Sequence, residues 1–104
     1  MKLKYVIDID GTICRTEKKY KDMQKNYKNS IRRKNVIEKI NELYDKGNKI
    51  IFYSARHWID FDLTIKWLKK YNVKYHTIVL GKPVGHVYVD EKHKLMDVEE
   101  MLNE

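Results

Sequence analysis

The chain is poor in the residues that usually punctuate or staple a small protein: one cysteine, one proline and four glycines in 104 residues. Cys14 is alone, so no internal disulfide can form. No secretory signal opens the sequence, and the expected compartment is the reducing cytoplasm. The longest apolar runs, such as Ile50 to Tyr53, are far too short to cross a bilayer, which excludes a transmembrane segment and leaves no membrane role. No repeat or low-complexity tract is present. At this length a second core has no room, so one domain spanning 1–104 is expected.

What is there is charge. Charged residues make up 36% of the chain and hydrophobic ones 42%, enough for a small core under a densely solvated surface. The net charge of +7 favours anionic partners: phosphorylated metabolites, nucleic acid, acidic lipid or acidic protein. Charge alone does not choose among them, and most of the lysines read as a solubilising surface.

The few breakers divide the chain. Tyr5 to Ile9 is apolar and β-branched and reads as a strand buried on both faces, broken at Gly11-Thr12. Residues 14 to 32 are polar, with Lys18, Lys19, Lys21, Lys25 and Lys28, and read as a flap. Val36, Ile37, Ile40, Leu43 and Tyr44 recur at helical spacing, with Gly47 as a stop after Lys46. Lys49 to Tyr53 reads as a second strand. A second helix starts at Asp60 or Asp62, carries Ile65, Trp67 and Leu68, and ends near Asn72. His76 to Leu80 reads as a third strand and His86 to Val89 as a fourth, with a closing helix over 93–103. Arg32-Arg33-Lys34 sits where a helix N-terminus disfavours cations. Either the helix starts later, near Asn35, or the cluster serves an anion.

The order is that of βαβ units. It predicts an α/β fold: a three-layer Rossmann-like sandwich around a mainly parallel sheet of about four strands, with no separate cap domain. Ligands of such sheets bind at the carboxyl ends of the strands. Four segments put their chemistry there: Asp8 after the first strand, Ser54 after the second, Lys82 after the third and Asp90 after the fourth.

These segments resemble the four motifs of the haloacid dehalogenase-like superfamily of phosphatases. Asp8-Ile9-Asp10-Gly11-Thr12 matches the first in full. Ser54 after Ile50-Ile51-Phe52-Tyr53 matches the second, Lys82 in Gly81-Lys82-Pro83 the third, and Asp90-Glu91 is similar to the fourth, with Glu91 where many members have Asp. Within the superfamily, Ser54-Ala55-Arg56, the Gly81-Lys82-Pro83 turn and the small size look like phosphatases of capsule or surface-polysaccharide gene clusters.

The resemblance implies a magnesium-dependent phosphohydrolase. Asp8 would attack phosphorus and form an aspartyl-phosphate, and Asp10 would act as general acid and then general base. Ser54 and Lys82 would hold the phosphoryl oxygens, with Gly11, Thr12, Ala55 and Arg56 completing the substrate site. Asp8, Asp10, Asp90 and Glu91 would serve Mg2+, whose preference for oxygen suits an Asp-rich set. His57, His76, His86 and His93 show no zinc-like spacing. The bland readings are a turn-capping Asp8, a turn Asp10, a solvated Lys82, a surface Arg56 and a helix-start acidic pair at Asp90-Glu91.

The expected substrate is a small phosphomonoester such as a sugar phosphate. A nucleic-acid end phosphatase is the second reading, motivated by the basic charge with Tyr20, Tyr27 and Trp58 interleaved. A non-catalytic module on the same fold is the third. With no cap, the flap or a neighbouring copy in a homo-oligomer would complete the pocket.

Overall fold

Strand β1 (Lys4–Ile7) runs parallel to β4 (Lys49–Tyr53), with Ile7 opposite Phe52, and β4 runs parallel to β5 (Thr77–Val79), with Phe52 opposite Ile78. The order β1-β4-β5 makes a three-stranded parallel sheet in the computed structural model, which describes residues 2–16, 27–87, 89 and 94–104. Between β1 and β4 the chain forms the short antiparallel pair β2 (Cys14–Arg15) and β3 (Ile31–Arg32), then helix α1 (Lys34–Asp45). A single 3-10 turn, Trp58–Asp60, leads into α2 (Phe61–Lys70). A short helix, α3 (Val98–Leu102), follows near the end of the described chain.

Helical periodicity explains α1. Its buried residues are Val36, Ile37, Ile40 and Leu43, one stripe that packs on the sheet. Past Lys46, the amides of Gly47 and Asn48 turn back to the carbonyls of Tyr44 and Leu43 and close the helix. The basic cluster before α1 does not delay it: the helix begins at Lys34. Arg33 donates to the Thr12 carbonyl and lies 3.8 Å from Glu99, while Arg32 stacks over Tyr71. Those contacts hold the cations at a helix start that otherwise repels them.

Asn48 fastens the layers. Its buried side chain accepts from Leu3 N at 2.9 Å and donates to Leu43 O at 2.9 Å, joining the entry to β1 to the end of α1. Asn48→Ala strands the Leu3 amide, while Leu43 O keeps the backbone amide of residue 48; the expected loss is about 1–3 kcal/mol, read as a lower midpoint in urea with an unchanged slope.

Two features differ from the expected architecture. On β4, Ile50 and Phe52 are buried while Ile51 and Tyr53 are only half-buried; on β1, Ile7 is buried and Val6 is 52% exposed. Successive right-handed crossovers in one direction, β1 to β4 to β5, set α1 and α2 on the same face. Among the described residues the architecture is therefore two layers, not three. The expected fourth strand is also not seen: His86, Val87 and Val89 carry no strand pairing, and Tyr88 and Asp90 lie outside the described residues. What stands is an α/β, Rossmann-like core with a parallel sheet, a small antiparallel one and short helices, without a separate cap domain among the described residues. No helix among them is long and apolar enough to cross a membrane.

Candidate active site

The three parallel strands deliver their chemistry to one edge. Asp8 follows β1, Ser54 follows β4, and Gly81-Lys82 follow β5. Backbone bonds stitch these exits together. Ser54 N donates to Val79 O, Lys82 N donates to Ser54 O at 2.9 Å, and Gly81 N donates to Arg56 O at 2.8 Å. Gly81 is in the left-handed region at φ 78°, and a Cβ there would meet the Trp58 indole nitrogen at 3.3 Å. The turn carrying Lys82 therefore needs its glycine twice over.

The Asp8 side chain is 42% exposed, and its Oδ2 lies 3.9 Å from Lys82 Nζ. Its Oδ1 accepts the Ile9 amide at 2.8 Å. Burial raises the Asp8 carboxyl above its ordinary range; the Ile9 amide and Lys82 work against that, and the Asp10 charge adds to it. Asp8 is thus a half-buried carboxylate whose charge is under-compensated by the protein.

Asp10 is the opposite case. Gly11, at φ 84°, turns the chain back so that Gly11 N reaches Cys14 O at 2.8 Å and Ile13 N reaches Ile9 O at 3.0 Å. The turn aims the Asp10 carboxylate inward. Arg56 Nε donates to Oδ2 and Nη2 to Oδ1, both at 2.8 Å, and Thr16 donates to Oδ1 at 2.7 Å. Burial alone would raise Asp10, but the Arg56 fork, with Thr16 and Cys14, holds it below the ordinary carboxylate range.

Arg56 itself is 1% exposed. Its third nitrogen, Nη1, donates to Thr64 Oγ1 at 3.0 Å, and its guanidinium sits 4.1 Å over the Tyr27 ring. Burial works against its charge, and Asp10 more than restores it. Burial and the Asp10 charge push the Cys14 thiol up, so it serves as packing rather than as a nucleophile.

The expected site residues are thus placed as follows. Asp8, Asp10, Ser54 and Lys82 share the strand-end edge, with Gly11 exposed and Thr12 half-buried at the turn between Asp10 and Cys14. Ser54 is buried and its Oγ accepts from Arg56 N at 3.1 Å. Ala55 is exposed beside it. Arg56 lies inside, on Asp10, rather than on the surface. Thr16, Ser30 and Thr64 around this pair were not anticipated from sequence, and Tyr27, expected only as a nucleic-acid contact, covers Arg56. Hydroxyls spaced across three segments leave no local pattern to read.

Asp90 and Glu91 lie outside the described residues, as does most of the flap. Among the described residues no group of three His, Cys, Asp or Glu could enclose a metal. The donor that is described fits magnesium in kind: a hard carboxylate oxygen, half exposed, with the Lys82 ammonium 3.9 Å away, beyond hydrogen-bond range.

The fold has a solved counterpart. A crystal structure of a target protein from Vibrio cholerae superposes with a TM-score of 0.73 at 28% identity, covering 100% of this chain and 89% of that one. Among curated proteins none matches significantly. Residues 3–98, which include β1, the Asp8–Thr12 turn, Ser54-Ala55-Arg56 and Lys82, match the family described as the polynucleotide kinase PNKP phosphatase domain. A match over nearly the whole chain, together with a parallel sheet whose strand ends carry the expected residues, means that the chain belongs to that family of haloacid dehalogenase-like phosphatases.

Proposed function

We propose that this chain is a magnesium-dependent phosphohydrolase that removes a terminal phosphomonoester from a polynucleotide through an aspartyl-phosphate on Asp8. The observation that carries the reading is the half-exposed Asp8 carboxylate, 3.9 Å from Lys82 at the open strand-end edge and two residues before the Arg56-held Asp10. The polynucleotide substrate rests on the family's description and on the net charge of +7. The chain acts as one domain over 1–104, with 14–32 as its flap.

Asp8 and the Asp10 segment, with Asp90 and Glu91, would hold the magnesium, which when bound neutralises charge on the phosphoryl oxygens. Lys82 shares that task as a point cation, and Ser54 donates from its hydroxyl. An Asp8 oxygen bonds to phosphorus as the ester P–O bond breaks, and Asp10 gives its proton to the departing oxygen. Asp10 then takes a proton from water as that water attacks phosphorus, releasing inorganic phosphate and restoring the Asp8 carboxylate. The Arg56 fork keeps Asp10 ionised at rest. A phosphate dianion beside Asp10 raises its proton affinity, so that Asp10 gains its proton when substrate is present.

The expected result is magnesium-dependent phosphate release from oligonucleotides carrying a 3′ or 5′ terminal phosphate, abolished by chelation and restored by added magnesium. A metabolite panel run beside them tests the alternative. Faster turnover of a sugar phosphate would return the chain to the capsule-type reading. No turnover of any phosphomonoester, including an aryl phosphate, overturns the enzyme reading.

A further inference from the structure

Helix α2 carries a second feature that the chemistry above does not use. Leu63, Lys66, Trp67 and Lys70 share one stripe of the helix and, with Lys28 and Asn29, line an open cleft of about 390 Å³. Three lysines border it over an apolar floor of Leu63 and Trp67. Among the described residues none of these lysines pairs with a carboxylate, whereas Lys39, Lys46, Lys74 and Lys94 each lie within 4.0 Å of one. Among the described residues the cleft thus gathers three lysines with no carboxylate within 4.0 Å of any of them.

Its position is tied to the catalytic edge. Trp67 Nε1 donates to Ser30 O at 3.1 Å, Ser30 Oγ meets Thr16 Oγ1 at 2.6 Å, and Thr16 donates to Asp10. Thr64, next to Leu63, holds Arg56 from the other side. Because α2 follows β4, its first turn lies near the strand ends and its last turn lies toward the opposite edge. Lys66 and Lys70 are one helical turn apart, about 6 Å along the axis. A row of cations thus leads away from the reacting group.

We propose that this cleft binds the phosphodiester backbone of the substrate strand, a few nucleotides inward from the terminal phosphate, with Lys28, Lys66 and Lys70 as phosphate contacts. The assignment rests on the polynucleotide reading of the active site. Single, repeating negative charges suit spaced lysines, and the apolar floor suits a sugar or base face.

The test compares a ten-nucleotide strand bearing a terminal phosphate with the matching mononucleotide and an aryl phosphate, in wild type and in Lys66→Gln/Lys70→Gln. Wild type is expected to show a lower KM for the ten-mer than for the mononucleotide. The double variant raises the ten-mer KM about tenfold at low salt and lowers its salt slope by about 1.4, as two lost contacts to a single strand require. Its kcat, and its constants for the mononucleotide and the aryl phosphate, stay at wild-type values, which also shows the fold intact. A double variant whose ten-mer KM and salt slope equal those of wild type overturns the cleft assignment alone. A wild type that hydrolyses the aryl phosphate but no oligonucleotide overturns the polynucleotide reading first, and the cleft with it.

Discussion

Asp8→Asn is expected to lower phosphate release by at least about a thousandfold while leaving the protein folded. The substitution removes the charge of the proposed attacking oxygen and keeps the side chain's shape. The Asn carbonyl can still accept the Ile9 amide that Asp8 Oδ1 accepts at 2.8 Å. Stability moves the other way from activity. Burial raises the Asp8 carboxyl in the fold, with Lys82 and Ile9 offsetting only part of that. A group raised above its unfolded value contributes stability that is present below the unfolded pKa, near 3.9, and is lost as pH rises through the folded value. At pH 7 the ionised Asp8 therefore opposes folding, and its neutral replacement does not. Thermal melts without metal should show Asp8→Asn at or above wild type at pH 7, with the difference closing below about pH 4. Added magnesium should raise the wild-type melting temperature more than that of the variant, because binding to the native state stabilises it. Undiminished turnover in Asp8→Asn would sink the nucleophile assignment. Loss of activity with a lower melting temperature would make Asp8 a structural cap.

The elements that could be read from the sequence are those where one local signal suffices. The stripe Val36, Ile37, Ile40 and Leu43 is buried as its spacing requires, and Lys49 to Tyr53 is a strand over its whole expected length. Asp8, Ser54 and Lys82 meet at one edge because parallel strands leave their carboxyl ends together. The misses have physical causes. A strand that is apolar on both faces, such as Tyr5 to Ile9, reads as covered on both faces, yet its composition does not report what lies over Val6. The closing helix was expected over 93–103, but its described turns begin only at Val98. The start signal was present: Asp97 accepts from Glu100 N at 2.8 Å, an N-cap three residues before a Glu. Arg56 was the least legible residue. Its sequence neighbours Ala55 and His57 are exposed, while its partners Asp10, Thr64 and Tyr27 are distant or on another element. A charged residue after a strand carries no local mark of depth, and only the fold shows that this guanidinium is interior.

That depth makes Arg56 the position where a single change costs most in stability. Arg56→Ala removes a fully buried cation that holds both oxygens of Asp10, fills the space beside Thr64 and covers Tyr27. Removing one member of a buried pair costs about 3–5 kcal/mol, because the remaining charge is left uncompensated. The Asp10 side chain is 32% exposed, and water screens part of that loss, which places the expected value near the lower end, about 3 kcal/mol. In a domain of this size that is a fall of roughly 12 °C or more in melting temperature. The pH dependence identifies the cause. Arg56 holds the Asp10 carboxyl below its unfolded value, so this stabilisation is present above the unfolded pKa and is lost as pH falls through the folded one. The gap between wild type and Arg56→Ala should therefore be widest at neutral pH and narrow in acid, below about pH 4. The double variant Arg56→Met/Asp10→Asn keeps most of the volume and removes the stranded charge, and it should recover more than half of the lost stability. It should recover no turnover, because the proposed mechanism makes Asp10 the proton carrier, with Arg56 acting through it. A gap that stays constant from pH 7 to pH 3, or an Arg56→Ala variant that melts with wild type, would show that the pair contributes packing alone.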